Sequence, residues 1–122
     1  MRDKLRLDFC EYKIYEDYVI SIAEEGIIIS PEHNKALINV METYFPKRDF
    51  VCISHRLNSY TVDPITYLEI SKIENLKGFA VVSKVYKARA NAEVEKLFLN
   101  KSFEIFDDIS KAISWTKSIL KQ

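Results

Sequence analysis

The sequence contains only two glycines, Gly26 and Gly78, among 122 residues. Loops that cradle phosphate need several, because the backbone must approach an anion with no Cβ in the way. A dinucleotide fingerprint, a P-loop and a Gly-x-Ser-x-Gly nucleophile elbow are therefore excluded by composition. Cysteine is equally sparse. Cys10 and Cys52 both sit in apolar segments, which fits a reducing compartment where a buried thiol acts as a small hydrophobe. Charge of either sign is not in surplus: 18 Lys and Arg balance 18 Asp and Glu. That balance argues against a dedicated nucleic-acid binder, which needs extra cations to displace phosphate counterions. It also argues against a polybasic membrane-surface module. No apolar run approaches the ~20 residues needed to span a bilayer. The opening Met1-Arg2-Asp3-Lys4-Leu5-Arg6 lacks the apolar core of a signal peptide. A cytoplasmic protein without membrane insertion is expected.

The chain does carry 48% hydrophobic side chains. Its length suits one domain over residues 1–122, with a core that needs neither disulfide nor metal. Residues 4–15 begin by alternating, Leu5, Leu7 and Phe9 against Arg6 and Asp8, which predicts a half-buried strand. A turn at Glu16-Asp17 leads to a second strand, Tyr18 to Ile29, interrupted near Glu24-Glu25-Gly26. Ser30-Pro31-Glu32 starts a helix: Ser caps free amides, Pro is preset for the first turn, and Glu favours the positive end. Leu37, Val40, Met41 and Tyr44 follow at helical spacing, and Pro46 bars continuation.

Phe50-Val51-Cys52-Ile53 and Phe79-Ala80-Val81-Val82 are short apolar runs, as expected of strands covered on both faces. Asp63-Pro64 starts a second helix carrying Ile65, Leu68, Ile70 and Ile73. A third helix, about Tyr86 to Leu99, shows Ala90, Val94, Leu97 and Phe98 on one stripe. Phe103 to Phe106 alternates like an edge strand. Asp107-Asp108 then caps a last helix with a stripe of Ile109, Ala112, Ile113, Thr116 and Leu120 and Trp115 at its margin. The order is β-β-α-β-α-β-α-β-α: an α/β fold, mostly parallel, with an antiparallel N-terminal strand and four helices.

Ligands and partners of open parallel sheets are met beyond the carboxyl ends of the strands. Those ends gather Ser54 to Thr61, Ser83, Lys84, Asp107 and Asp108. The loop from His55 to Val62 is the longest connection and is rich in hydrogen-bonding side chains. His55, Arg56, Asn58, Ser59, Tyr60, Asp63 and Lys84 are the candidate partner-binding residues. His55 and Arg56 could hold an anion, but an Arg56–Asp63 ion pair is the favoured arrangement. Cys52-x-x-His55 resembles half a zinc site, yet side chains three apart on a strand face opposite ways, so no metal is expected. Ser59, His55 and Asp63 lie on one loop without a glycine-lined oxyanion hole, so no catalytic residue is assigned. No cofactor is implied.

This sequence of elements, from the hairpin start through Ser30-Pro31, Phe50–Ile53, Asp63-Pro64 and Phe79–Val82 to Phe103–Phe106, Asp107-Asp108 and Trp115, resembles the STAS domain. That is the fold of bacterial anti-sigma-factor antagonists, the SpoIIAA-like proteins. It is also similar to the small stand-alone bacterial STAS proteins grouped with the CRAL-TRIO lipid-binding fold. In the antagonists an Asp-Ser-Ser-Gly stretch begins the second helix, and its serine is phosphorylated to release an anti-sigma kinase. This chain has Val62-Asp63-Pro64-Ile65 there, and Ser59, four residues upstream of Asp63, is the remaining phosphorylation candidate. The resemblance implies a non-enzymatic regulatory domain that binds a partner protein through the loop before helix two. The alternative is a small-molecule or lipid-binding domain of the same fold, and an enzyme using His55 as general base is the third reading. Self-association through Phe103–Phe106 or the N-terminal hairpin would make a homo-oligomer.

Overall fold

The computed structural model describes residues 1–121. Its main sheet has six strands in the order β1-β2-β3-β5-β7-β8: β1 (Asp3–Arg6), β2 (Cys10–Ile14), β3 (Tyr18–Ala23), β5 (Phe50–His55), β7 (Leu76–Val82) and β8 (Ser102–Phe106). β1, β2 and β3 pair antiparallel; β3, β5, β7 and β8 pair parallel. The parallel core and the turn at Glu16-Asp17 match the expectation. The N-terminal addition does not: residues 4–15 form two strands, joined by a tight turn in which the Leu7 amide donates to the Cys10 carbonyl at 2.8 Å. No glycine announces that turn, so the alternation of apolar residues runs on across it.

Helices α1 (Pro31–Tyr44), α2 (Ile65–Ile70) and α3 (Tyr86–Glu95) cover one face of the sheet, and α4 (Ile109–Leu120) covers the other. Alternation along the strands assigns each side chain to a layer. Cys10, Tyr12, Ile14, Cys52, Phe79 and Phe103 meet α1, α2 and α3. Ile20, Val51, Ile53, Ala80 and Val82 lie in the α4 layer. The first helix begins as expected at Ser30-Pro31, with the Ser30 amide donating to His33 Nδ1 at 3.2 Å. Gly78, bare on the α4 side, lets Trp115 lie close over β7.

Two helix faces differ from the predicted stripes. In α2 the buried residues are Thr66, Tyr67 and Ile70, while Ile65 and Leu68 are about half exposed and Ile73 lies beyond the end. In α3 and the 3₁₀ turn Lys96–Phe98, the apolar stripe of Ala90, Val94 and Leu97 faces solvent; Ala92 and Glu95 face inward. The reason is electrostatic: Glu95 pairs in the core with a cation from the end of β5, and that pair fixes which side of the helix faces inward. A second sheet, absent from the predicted order, pairs β4 (Ile28–Ile29) in parallel with β6 (Thr61–Val62).

Candidate functional site

The carboxyl ends of β5 and β7 share one rim, as the parallel core requires: the Arg56 amide donates to the Val82 carbonyl at 2.8 Å. The polar loop that follows β5 is tied along its length to residues 23–29. The Gly26 amide donates to the Ser59 carbonyl at 2.7 Å, and the Thr61 and Asp63 amides donate to Ile27 and Ile29 carbonyls at 3.0 and 2.8 Å. Asn58 Nδ2 donates to the Ala23 carbonyl at 2.8 Å, and the Ser59 amide to Glu25 Oε2 at 2.7 Å. Gly26 makes the bend possible with φ at +78°, the left-handed region where a Cβ is strained. Hydrophobic patterning could not reveal this zipper in one dimension, because the β4 and β6 strands are two residues each.

Arg56 does not pair with Asp63. It is buried, 6% exposed, and its guanidinium makes a two-pronged contact with Glu95: Nη1 donates to Oε2 at 3.0 Å and Nη2 donates to Oε1. The Tyr67 hydroxyl donates to the same carboxylate at 2.5 Å, and the Tyr60 ring lies under the guanidinium, 5.5 Å from its centroid. Burial works against the Arg56 charge, but the Glu95 carboxylate more than compensates and holds the group protonated. Burial and the same carboxylate push the Tyr67 phenol well above its ordinary range. Asp63 instead accepts the Ile65 amide at 3.0 Å, closing the turn into α2. The reason lies in direction: Arg56 points into the helix layer, whereas Asp63 turns back onto its own helix start.

His55 is likewise separated from the residues grouped with it. It belongs to the opposite face of β5 from Ser54, and its charged neighbours are Lys13, Asp108 and Lys84. Burial, Lys13 and Lys84 hold its imidazole below the usual range against the pull of Asp108. Lys84 is exposed and stands 3.9 Å from Asp108. Cys52 faces the helices α1 to α3 and His55 faces away, as alternation predicts. Ser59 is exposed beside the Glu25 carboxylate.

The rim encloses two spaces on the α1–α3 side. An open cleft of ≈ 410 Å³ lies between the 56–61 loop and the start of α3, with Leu57, Asn58, Tyr60, Val85, Ala88 and Asn91 on its walls. Leu57 and Val85 are 63% and 60% exposed. A smaller pocket of ≈ 50 Å³ lies deeper, beneath α1 and α2. Ser54 and Tyr60, whose hydroxyl oxygens are 2.8 Å apart, both line this pocket, and Tyr60 lines the cleft as well. Cleft and pocket were not visible in the sequence; the only available signal was the small residues Ser21, Ala23 and Ser54 on adjacent strands.

No protein-family model matches the sequence, and no curated protein matches it. Among solved structures, the chain is similar to an uncharacterized protein of the DUF3478 family from Shewanella loihica PV-4, described as having a SpoIIAA-like fold. The two share 14% identity with a TM-score of 0.61, over 88% of this chain and 91% of that one. The fold is SpoIIAA-like. Among the described residues no helix is long and apolar enough to cross a membrane.

Proposed function

We propose that this chain is a non-enzymatic STAS-like regulatory domain that binds a partner protein through the cleft between the 56–61 loop and α3. One observation carries the reading. Two large apolar side chains, Leu57 and Val85, stand mostly in solvent on either side of an open ≈ 410 Å³ cleft. The rim around them is fixed by backbone hydrogen bonds from both sides, so little conformational freedom is lost on docking. Asn58, Tyr60 and Asn91 supply the polar margin. His55 and Lys84, on the other face, lie outside this surface, and Arg56 and Asp63 act as its supports. His55 standing away from Ser59 and Asp63 favours binding over general-base chemistry. A phosphate on Ser59 would meet the Glu25 carboxylate, so the reading needs no modification there. The free thiols Cys10 and Cys52 fit the cytoplasm as the working compartment.

Affinity capture from source cells tests it with three baits: the wild type, Leu57→Ser/Val85→Ser, and the α2-face control Ile65→Ser/Leu68→Ser. A protein retained by the wild type and the control but lost with the cleft variant is the expected result. The same proteins on all three baits would overturn the assignment of the cleft.

A further inference from the structure

Glu95 does not satisfy the whole of Arg56. Nη1 and Nη2 are taken by the carboxylate, but Nε is buried and donates to no described residue. The side chain is 3% exposed, and a buried donor in this state calls for an acceptor. Arg56 is a wall residue of the ≈ 410 Å³ cleft and not of the deeper pocket. The facing wall is short of acceptors too. There α3 starts at Val85, with no side-chain cap and no acidic residue in its first turn. Ser83 Oγ accepts the Val85 amide at 3.1 Å, but the amides of Tyr86, Lys87 and Ala88 donate to no described residue. Such first-turn amides have no intrahelical partner, and the aligned peptide dipoles favour negative charge beside them. Lys87 and Ala88 belong to the cleft wall, and the exposed Lys87 ammonium forms no ion pair among the described residues. The lining contains no Asp or Glu. Of the acids nearby, Glu95 is bound to Arg56, and Glu25 Oε2 accepts the Ser59 amide.

We infer that the cleft recognises an acidic side chain of the partner protein, a carboxylate whose oxygens accept from Arg56 Nε and from the open amides at the start of α3, with Lys87 as its counter-charge. This rests on the cleft being the docking surface and adds the chemistry of what docks. A carboxylate offers acceptors alone, which is what both walls lack. A single negative charge is the better match, because Glu95 already neutralises Arg56 and Lys87 is the one further cation in the lining. A phosphate, carrying ≈ −1.5 to −2, would be only partly compensated. The acid belongs to an internal residue of the partner's chain, since exposed apolar side chains flank the cleft from both walls, Leu57 from the loop and Val85 from the start of α3. Apolar neighbours on either side of the acid would cover them.

The probes are blocked peptides, acetyl-Leu-Glu-Leu-amide and its counterparts with Gln or phosphoserine at the centre, titrated into ¹⁵N-labelled protein and followed by NMR. The amides of Leu57, Val85 and Ala88 report the cleft, and the Arg56 Nε–H resonance reports the contact itself. The Glu peptide is expected to give saturable shifts at all four, with the Nε proton moving downfield. The Gln peptide is expected to bind about tenfold more weakly, the gap between a charge-assisted and a neutral hydrogen bond, and the phosphoserine peptide no tighter than Glu. Lys87→Glu adds an acid to the first turn, where it favours the helix, so the variant folds; it is expected to weaken the Glu peptide about fivefold. Gln matching Glu, an Nε resonance that stays still, or Lys87→Glu binding unchanged would overturn the inference, and a phosphoserine peptide more than about tenfold tighter would reassign the cleft to a phosphoprotein. No cleft shift with any peptide would also overturn it, whereas the partner reading itself stands or falls on the three-bait capture.

Discussion

Replacing Glu95 by Ala strands the Arg56 guanidinium in the core. That group is 6% exposed, and Glu95 itself is 5% exposed, so neither solvent nor a neighbouring carboxylate can take over. Removing one partner of a buried pair costs about 3–5 kcal/mol. Against a total stability of about 5–15 kcal/mol, that is a large fraction of the whole. At this chain length each kcal/mol moves Tm by about 4 °C, so a fall of roughly 12–20 °C is expected. Arg56→Met should cost a similar amount by leaving the carboxylate bare. The double variant Arg56→Met/Glu95→Leu still orphans the Tyr67 hydroxyl, worth about 1–3 kcal/mol. The triple variant with Tyr67→Phe removes every polar member of the cluster. It should lie within about 2 kcal/mol of the wild type and above both single variants. Urea unfolding read by Trp115, the single tryptophan, gives all four values, with a constant slope m confirming a common transition. Single variants that lose under about 1 kcal/mol, or losses that add across the series, would refute the claim that this pair governs α3.

Three further outcomes are expected. Gly78→Ala places a Cβ 2.8 Å from Trp115 Cη2 and 3.4 Å from Ile119 Cδ1; overpacking should cost about 1–3 kcal/mol with a changed Trp115 emission, and neutral unfolding data would contradict the packing. His55 has a folded pKa held below the ordinary imidazole value by burial, Lys13 and Lys84. The unfolded chain therefore takes up the proton first, and stability falls as pH drops from about 6.5 through the folded value. His55→Gln should flatten that loss between pH 7 and 5 in denaturant titrations, and identical slopes for both proteins would count against it. Burial pushes the Cys10 thiol up to about 11 and raises Cys52 as well. Native protein at pH 8 should react with a thiol reagent at least about a hundredfold more slowly than a free cysteine, and both thiols should react at once in urea; rapid native labelling would show that the core is open.

Proline and apolar runs made most of the architecture legible. Ser30-Pro31 and Asp63-Pro64 start helices because proline tolerates only a first turn. Phe50–Ile53 and Phe79–Val82 are apolar throughout because both faces are covered. The faces of α2 and α3 were not legible. Periodicity counts apolar residues, and in α3 the residue that matters inside is Glu95, whose partner lies 39 positions away. The same distance hid the fate of Arg56, which as a loop residue looked free to meet Asp63 or an anion. His55 was legible in principle, since strand alternation already separates it from Ser54. The β4–β6 pairing was not, because two-residue strands leave no pattern. The pocket is lined by Tyr12 from β2 and Asn34 from α1, an approach that only the packed layers determine.

In the main sheet each strand lies beside the one that precedes it in the chain, β1 through β8 in order. Such a sheet can be laid down during synthesis from one margin to the other, each new strand docking on a template already made, with no slot held open for a late arrival. Two long-range ties must wait for later segments, β4 for β6 and Arg56 for Glu95. A ribosome-bound fragment ending before residue 95 would carry a naked guanidinium in its interior, which makes the emergence of α3 the moment at which the growing chain can settle.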